Sequence, residues 1–140
     1  MSRIARSLAM LVGALALVLP TAAQAASAES AEGPAQALLG RWVGTYTGYE
    51  DGNYVQGGQK IIITKAKGHV AKGTWQYKGS SGKWSAPQPV QFVVHVDDDI
   101  DVWGQDSEGY YTGDVGGQRL VLSYASAKPA QVLRLVLTRR

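Results

Sequence analysis

The chain of 140 residues contains no cysteine, a single phenylalanine and only two methionines. Without cysteine there is no disulfide framework, no thiol nucleophile and no site for a bacterial lipid anchor. A domain of about a hundred residues can still bury a sizeable core without such cross-links. We therefore expect one domain that is stabilised by its apolar core alone.

Long apolar runs are also scarce. Leu8–Leu19 is about twelve residues long, whereas a membrane-spanning helix needs roughly 20. Arg3 and Arg6 precede this run, and Ala23–Ala25 matches the small-x-small pattern of a signal peptidase site. The pattern predicts a signal peptide over residues 1–25, and a retained anchor is the alternative. We expect a secreted or periplasmic protein with no membrane insertion after processing.

A strong excess of positive charge is lacking once that segment is removed. The whole chain carries fourteen basic and eleven acidic residues, for a net charge of +3. Arg3 and Arg6 leave with the signal peptide, so twelve basic residues remain against eleven acidic ones, a net charge of +1. This balance gives no support for nucleic acid as a partner.

Helical periodicity is missing as well. Residues 26–37 are small, polar and aperiodic, which predicts a flexible leader, and the folded domain is expected over residues 38–140. From there on, apolar residues alternate with polar ones, and turn signals separate short runs. The predicted strands are 41–49, 59–65, 69–77, 90–96, 99–103, 109–115, 118–124 and 131–139.

Short, evenly spaced strands with tight turns favour an all-β, eight-stranded antiparallel up-and-down barrel, with a β-sandwich as the alternative. Alternation gives these strands one apolar face, which a closed barrel buries. Glycines also lie inside strands, where they usually weaken a sheet. They indicate sharp coiling of the strands or room for a ligand in the lumen, and the two interpretations are compatible. These glycines are Gly44, Gly48, Gly73 and Gly113.

The start of the first strand, Gly40–Trp42, resembles the G-x-W feature of the calycins. This superfamily includes lipocalins, avidins and a bacterial metalloprotease inhibitor. In those barrels the tryptophan closes one end, and a basic residue of the last strand packs across it. The resemblance implies that Arg139 packs over Trp42, whereas Arg134 has the opposite parity. The biotin-contacting residues of avidins do not match this chain, so biotin is not implied.

Catalytic constellations are not apparent. His69 and His95 lie in different predicted strands, and there is no G-x-S-x-G nucleophile elbow. Carboxylates cluster near residues 97–108, but no second element is identifiable that would set a glycosidase geometry. We therefore predict that the protein is not an enzyme and has no cofactor.

The acidic stretch Asp97–Glu108 has the spacing of a calcium-binding EF-hand loop. In that interpretation Asp97, Asp99, Asp101 and Glu108 supply side-chain ligands, and Trp103 supplies its carbonyl. Val102 occupies the position that requires glycine, and the flanking segments are predicted strands instead of helices. We therefore predict no metal site, but a strand with Ile100 and Val102 inward and with Asp99, Asp101 and Trp103 outward.

Tryptophan and tyrosine dominate the aromatic residues, and both suit binding sites because each combines an apolar body with a polar tip. Parity places several of them on the inner face, and a further tryptophan lies in a Pro/Gly/Ser-rich loop that is expected at a barrel mouth. Their alternative roles are ordinary core packing and, for the loop tryptophan, packing under its own loop. The predicted ligand-binding residues are Tyr46, Trp75, Tyr77, Trp84, Tyr111 and Tyr124.

Two functions remain open from the sequence. The first is an exported barrel that binds a small apolar or aromatic-compatible ligand. The second is a protein-interaction or inhibitor module that acts on a protein partner through the leader, the Trp84 loop and the outward acidic strand end.

Overall fold

A computed structural model describes residues 33–97 and 100–140, apart from the side chain of Ile100. The predicted signal peptide and residues 26–32 of the predicted leader lie outside the described residues. A 3-10 helix at Pro34–Leu38 precedes eight strands. The strands are β1 (Gly40–Glu50), β2 (Asn53–Lys67), β3 (Val70–Lys78), β4 (Gln88–Val96), β5 (Ile100–Gln105), β6 (Gly109–Gly116), β7 (Arg119–Ala127) and β8 (Ala130–Arg139).

Each strand pairs antiparallel with the next, and β8 pairs with β1, so the sheet closes into an up-and-down barrel. This confirms the predicted fold class and excludes the β-sandwich. In the closing register Trp42 lies opposite Arg139, and Glu50 lies opposite Gln131. Closure pairs the two edge strands that an open sheet would leave exposed.

The hairpin between β1 and β2 differs from the sequence prediction, which placed a nine-residue connection between these strands. The turn is only Asp51–Gly52, and both residues have positive φ, 47° and 81°. Asp-Gly is the favoured pair for such a tight turn, because its twist matches that of the two strands. Gly57 and Gly58 looked like loop residues but belong to β2. The longer hairpin extends the barrel wall at this end.

Alternation along the strands separates a buried lumen from an exposed outer wall. The inward positions fill the barrel with a continuous apolar core. The largest fully buried side chains are Trp42, Phe92, Leu38, Ile61, Leu120, Leu122, Leu135, Leu137, Val90, Val94 and Val102. At about 25 cal/mol per Å² of apolar surface, this burial is the main favourable contribution to folding.

The strand glycines allow the strands to coil closely around one another. A Cβ added at Gly44 would overlap the carbonyl oxygen of Val136 on β8, and one at Gly73 would overlap that of Ile62 on β2. The backbone of the neighbouring strand therefore occupies the space that a side chain would need. These glycines serve close strand approach, and room for a ligand in the lumen stays a prediction.

One end of the barrel is closed. The Trp42 indole is fully buried, and its Nε1 donates a hydrogen bond of 2.7 Å to the carbonyl oxygen of Leu38. The Arg139 guanidinium carbon lies 4.6 Å from the centroid of the Trp42 ring, and its Nη2 donates to the carbonyl oxygen of Ala37. The 3-10 helix, with Ala35 and Leu38 buried, completes this closure. Pro34 to Ala37, which the sequence placed in the flexible leader, are thus packed on the barrel.

Within the described part of the chain, no helix has the length and apolar character that crossing a membrane requires.

We predict that Gly44→Ala destabilises the barrel by about 1–3 kcal/mol, because β8 has to move away from β1 to admit the new methyl group. Gly116→Ala is the matched control, since an added Cβ there has no atom within 4 Å. We expect the control to change the free energy of unfolding, measured by urea denaturation, by less than about 1 kcal/mol. Equal effects of the two substitutions would contradict this explanation of the strand glycines.

We predict that Arg139→Met lowers the free energy of unfolding by about 1–2 kcal/mol, because it removes the cation–π contact and the hydrogen bond to Ala37. The Nε of Arg139 is buried without a partner among the described residues, which reduces the net gain from the native arginine. Arg134→Met on the exposed face of β8 is the control and should change stability by less than about 0.5 kcal/mol. Similar losses for both variants in chemical denaturation would show that Arg139 has no special closing role.

Candidate functional site: a cavity at the open end

A cavity of about 310 Å³ lies inside the barrel at the end opposite Trp42 and Arg139. It lies among the last residues of β1, β3 and β7, the first residues of β2, β6 and β8, and the β5–β6 turn. Its volume is at the lower end of the range of about 300–1,000 Å³ that is usual for small-molecule sites. The lining residues are Tyr46, Glu50, Gln59, Trp75, Tyr77, Glu108, Tyr111, Tyr124, Pro129, Gln131, Leu133 and Leu135.

Five of the six aromatic residues that the sequence singled out line this cavity. Tyr111 and Tyr124 are buried, with ring centroids 4.6 Å apart and an interplanar angle of 43°. Trp75 and Tyr77 stack at 5.9 Å, and Tyr77, which is 48% exposed, lies at the rim. Tyr46 lines the cavity from β1. That these side chains bind a ligand stays a prediction.

Trp84 is the exception, because it lies on the outer wall and not at the mouth of the lumen. Its ring packs over Gly58, and the Nζ atoms of Lys60 and Lys78 lie 4.7 Å and 5.4 Å from its centroid. The loop is held there by hydrogen bonds between Ser85 and β3, including one of 2.8 Å from the Ser85 nitrogen to the Tyr77 carbonyl oxygen. Gly58 leaves a flat surface that the indole covers, so Trp84 does not belong with the cavity residues.

Asp106, in the turn between β5 and β6, fixes the two buried tyrosines. Its Oδ1 accepts hydrogen bonds of 2.8 Å from the backbone nitrogens of Glu108 and Gly109. Its Oδ2 accepts a bond of 2.8 Å from the Tyr111 hydroxyl, and Oδ1 accepts a longer one of 3.4 Å from the Tyr124 hydroxyl. One carboxylate thus organises a turn and locks two rings of the cavity wall.

This environment makes the tyrosines harder to ionise. Burial, followed by the charge of Asp106, raises the pKa of Tyr124 to about 12, and the same two causes raise the pKa of Tyr111 well above its ordinary value. Burial and then the charge of Glu50 raise the pKa of Tyr46. Each hydroxyl remains a neutral hydrogen-bonding group throughout the physiological pH range.

The sequence prediction missed the polar side chains of the cavity. Gln59 is the buried polar residue of the described chain, at 4% exposure, and Glu50, Glu108 and Gln131 also line the cavity. Parity contains a signal for three of them, and Gln131 is in phase with the inward Leu133, Leu135 and Leu137. Gln59 is in phase with the inward Ile61 and Ile63, and Glu50 is in phase with Trp42 and Tyr46. Glu108 lies in a turn, where alternation gives no information.

The EF-hand interpretation of the acidic stretch fits poorly with the placement of its described members. Asp101 and Trp103 are exposed on the outer face of β5, with Trp103 58% exposed, whereas Glu108 follows the strand at the open end. Val102 is fully buried, as predicted. Asp99 lies outside the described residues, as does the side chain of Ile100. No group of three potential metal ligands occurs among residues 33–97 and 100–140.

A larger depression of about 1090 Å³ extends across β2 to β6, and the buried Ala71, Phe92 and Tyr111 form part of its lining. Its lining includes exposed side chains such as Lys72, Trp103 and Tyr110. It is open to solvent, so a small ligand there would keep much of its surface in water. The lumen cavity lies inside the barrel, with the buried rings of Tyr111 and Tyr124 in its wall, and is the better candidate for a small-molecule site.

Comparison with known proteins found neither a protein-family model nor a curated protein that matches this chain.

We predict that stability falls as the pH rises above 10, because Tyr124 has an ordinary pKa of 10.0 and a pKa of about 12 in the fold. A raised pKa stabilises the fold fully below the unfolded value, and this contribution is lost as the pH rises through the folded value. Asp106→Asn keeps the Oδ1 acceptor and removes the charge. It should therefore lower the pH at which buried tyrosine ionises and reduce stability at neutral pH by about 1–2 kcal/mol.

Tyrosinate absorbance and denaturant unfolding measure the two effects. Asp114→Asn, on the exposed face of β6, removes the same charge outside this network and is the control. Identical alkaline titration curves for the two variants would contradict the role assigned to Asp106.

Proposed function

We propose that this protein binds a small ligand with an apolar or aromatic-compatible body in the cavity at the open end of the barrel. The observation that carries the proposal is an enclosed space of about 310 Å³ with five aromatic side chains in its wall. Apolar burial supplies affinity, and the polar groups of the wall supply orientation.

Rigidity of the cavity wall supports this proposal. The Tyr111 and Tyr124 rings are held by Asp106, and Tyr111 also packs against Phe92 with ring centroids 5.7 Å apart. The Asp51 nitrogen donates a hydrogen bond of 2.8 Å to the Ala130 carbonyl oxygen, which joins two hairpin turns at the mouth. A wall that is already ordered costs little further entropy when a ligand binds.

The proposal includes a calycin-like relationship and export through the predicted signal peptide. The contact between Trp42 and Arg139 is what supports the relationship, because it reproduces the closure that the G-x-W resemblance implies. In this proposal the closed end is structural, and ligands use the opposite end. The absence of a catalytic constellation in the sequence favours binding over catalysis, and this stays a prediction.

The alternative function, a protein-interaction or inhibitor module, has less support. Trp84 packs on its own wall, and the leader from Pro34 to Ala37 packs on the barrel end. The outward acidic strand end still supports that hypothesis, since Asp101 is exposed and the Trp103 ring is 58% exposed on the outer wall, and residues 26–32 of the leader lie outside the described residues. One exposed tryptophan in an open depression is a weaker argument than an enclosed aromatic cavity.

We predict that the neutral fluorescent probe N-phenylnaphthylamine binds the purified protein with enhanced emission, and that Leu133→Trp abolishes this binding. Leu133 lines the cavity, so a larger side chain there fills the space of the ligand. Val132→Trp is the matched control, because Val132 is the next residue on β8 but faces solvent at 67% exposure.

Fluorescence titration of the three proteins provides the measurement, and urea unfolding verifies that the variants fold. Native mass spectrometry of the protein as expressed provides a second measurement of any co-purified ligand. No probe binding to the unmodified protein, or equal binding to the Leu133→Trp variant, would refute the proposed cavity function.

A further inference from the structure

We propose that the ligand of the open-end cavity is a small organic cation, an amine or a quaternary ammonium compound with an apolar body. This inference rests on the proposed function and specifies its ligand class. It follows from the charges, the aromatic faces and the unpaired indole N–H that the cavity wall presents together.

The charges of the wall have one sign. Glu50 and Glu108 line the cavity, and among the described residues that line it there is no lysine, arginine or histidine. Glu50 ends β1, whereas Glu108 lies in the β5–β6 turn, half-way around the eight-stranded barrel. A ligand in the cavity therefore has a carboxylate on each of two opposite sides.

The basic residues near this end are directed elsewhere. Lys60 and Lys78 lie over the Trp84 ring on the outer wall. Lys128 is exposed in the β7–β8 turn, next to Pro129, and is not part of the lining. The carboxylates thus define the potential inside the cavity, which attracts cations and repels anions.

The charges of Glu50 and Glu108 also influence the pKa values of the tyrosines in the cavity wall. Glu50 contributes, after burial, to the raised pKa of Tyr46. Glu108 contributes, after burial and Asp106, to the raised pKa of Tyr111 and Tyr124. Asp106 itself accepts hydrogen bonds from two backbone nitrogens and two tyrosine hydroxyls, so its charge is balanced by the protein. Glu50 and Glu108 are therefore the carboxylates that interact with a positive charge on the ligand in this proposal.

The aromatic rings complete the recognition of a cation. Four tyrosines and Trp75 surround the space, and an ammonium group near such ring faces gains about 0.5–2 kcal/mol. Quaternary ammonium ligands are typically held in cages of this composition. Glu50 is half-buried, whereas Glu108 is exposed. A neutral apolar ligand would use the rings but would displace water from the Glu50 carboxylate without compensation.

The Trp75 indole gives an independent indication that the cavity receives a polar ligand. Trp75 lines the cavity, and its Nε1 is buried with no hydrogen-bond partner among the described residues. A buried donor normally has a partner, because an unpaired one costs about 1–3 kcal/mol. A hydroxyl or ether oxygen on the ligand supplies an acceptor.

Three compounds of nearly equal shape test the inference by displacement of N-phenylnaphthylamine from the full chain. They are choline as the cation, 3,3-dimethylbutan-1-ol as its neutral isostere with a tert-butyl group in place of the trimethylammonium group, and 3,3-dimethylbutanoate as the anion. We expect choline to displace the probe at a concentration roughly tenfold or more below that of the neutral isostere. The anion should be the weakest of the three.

The double substitution Glu50→Gln and Glu108→Gln should reduce this preference several-fold while probe binding persists, because the rings remain and the two charges are removed. The double substitution Asp101→Asn and Asp114→Asn removes two charges from the outer wall, where the two residues are register partners, and should leave the preference intact.

Two failures are distinguishable. If the probe binds but choline fails to displace it, or does so no better than the neutral isostere, the cationic ligand class is wrong and the proposed cavity function stands. A loss of the preference in the Asp101/Asp114 variant would also overturn the assignment to Glu50 and Glu108. If the probe itself does not bind, both proposals fail.

Discussion

Closure of the sheet through the pairing of β8 with β1 is the constraint on which the rest of the structure depends. It fixes an inside and an outside for every strand, so alternation along the chain becomes a division between lumen and solvent. The same register brings Arg139 opposite Trp42 and so closes one end of the lumen. A cavity can then form only toward the other end.

The two ends of the barrel differ in the charged groups that lie near their aromatic side chains. At the closed end a cation from the protein covers an indole, and a 3-10 helix packs beside it. At the open end, aromatic rings and carboxylates face a space that no protein cation of the described chain enters. One aromatic surface is thus covered by a cation of the chain itself, and in the proposed function a ligand covers the second, acidic one.

Much of the fold could be predicted because a barrel is built from local patterns. Period-two alternation located the strands, and parity alone assigned Trp42, Tyr46 and Val102 to the interior. The Asp51–Gly52 turn was missed because the polar residues after it resembled a loop, although Asp-Gly by itself favours a two-residue hairpin.

The candidate site was only partly predictable. Trp84 was misplaced because its partners, Gly58 and two lysines, come from other strands, and no local pattern connects them. Asp106 was overlooked because its importance arises from a turn that points it toward Tyr111 and Tyr124. Residues whose roles depend on one local period were predictable, and residues whose roles depend on contacts between strands were not.

The four tryptophan indole N–H signals in an NMR titration with benzyltrimethylammonium test the central claim most directly. Trp42 lies at the closed end, Trp75 in the cavity wall, and Trp84 and Trp103 on the outer wall. The account predicts that the Trp75 signal shifts in a saturable manner while the other three change little. A dominant shift of Trp84 or Trp103, or no saturable shift of Trp75, would contradict it.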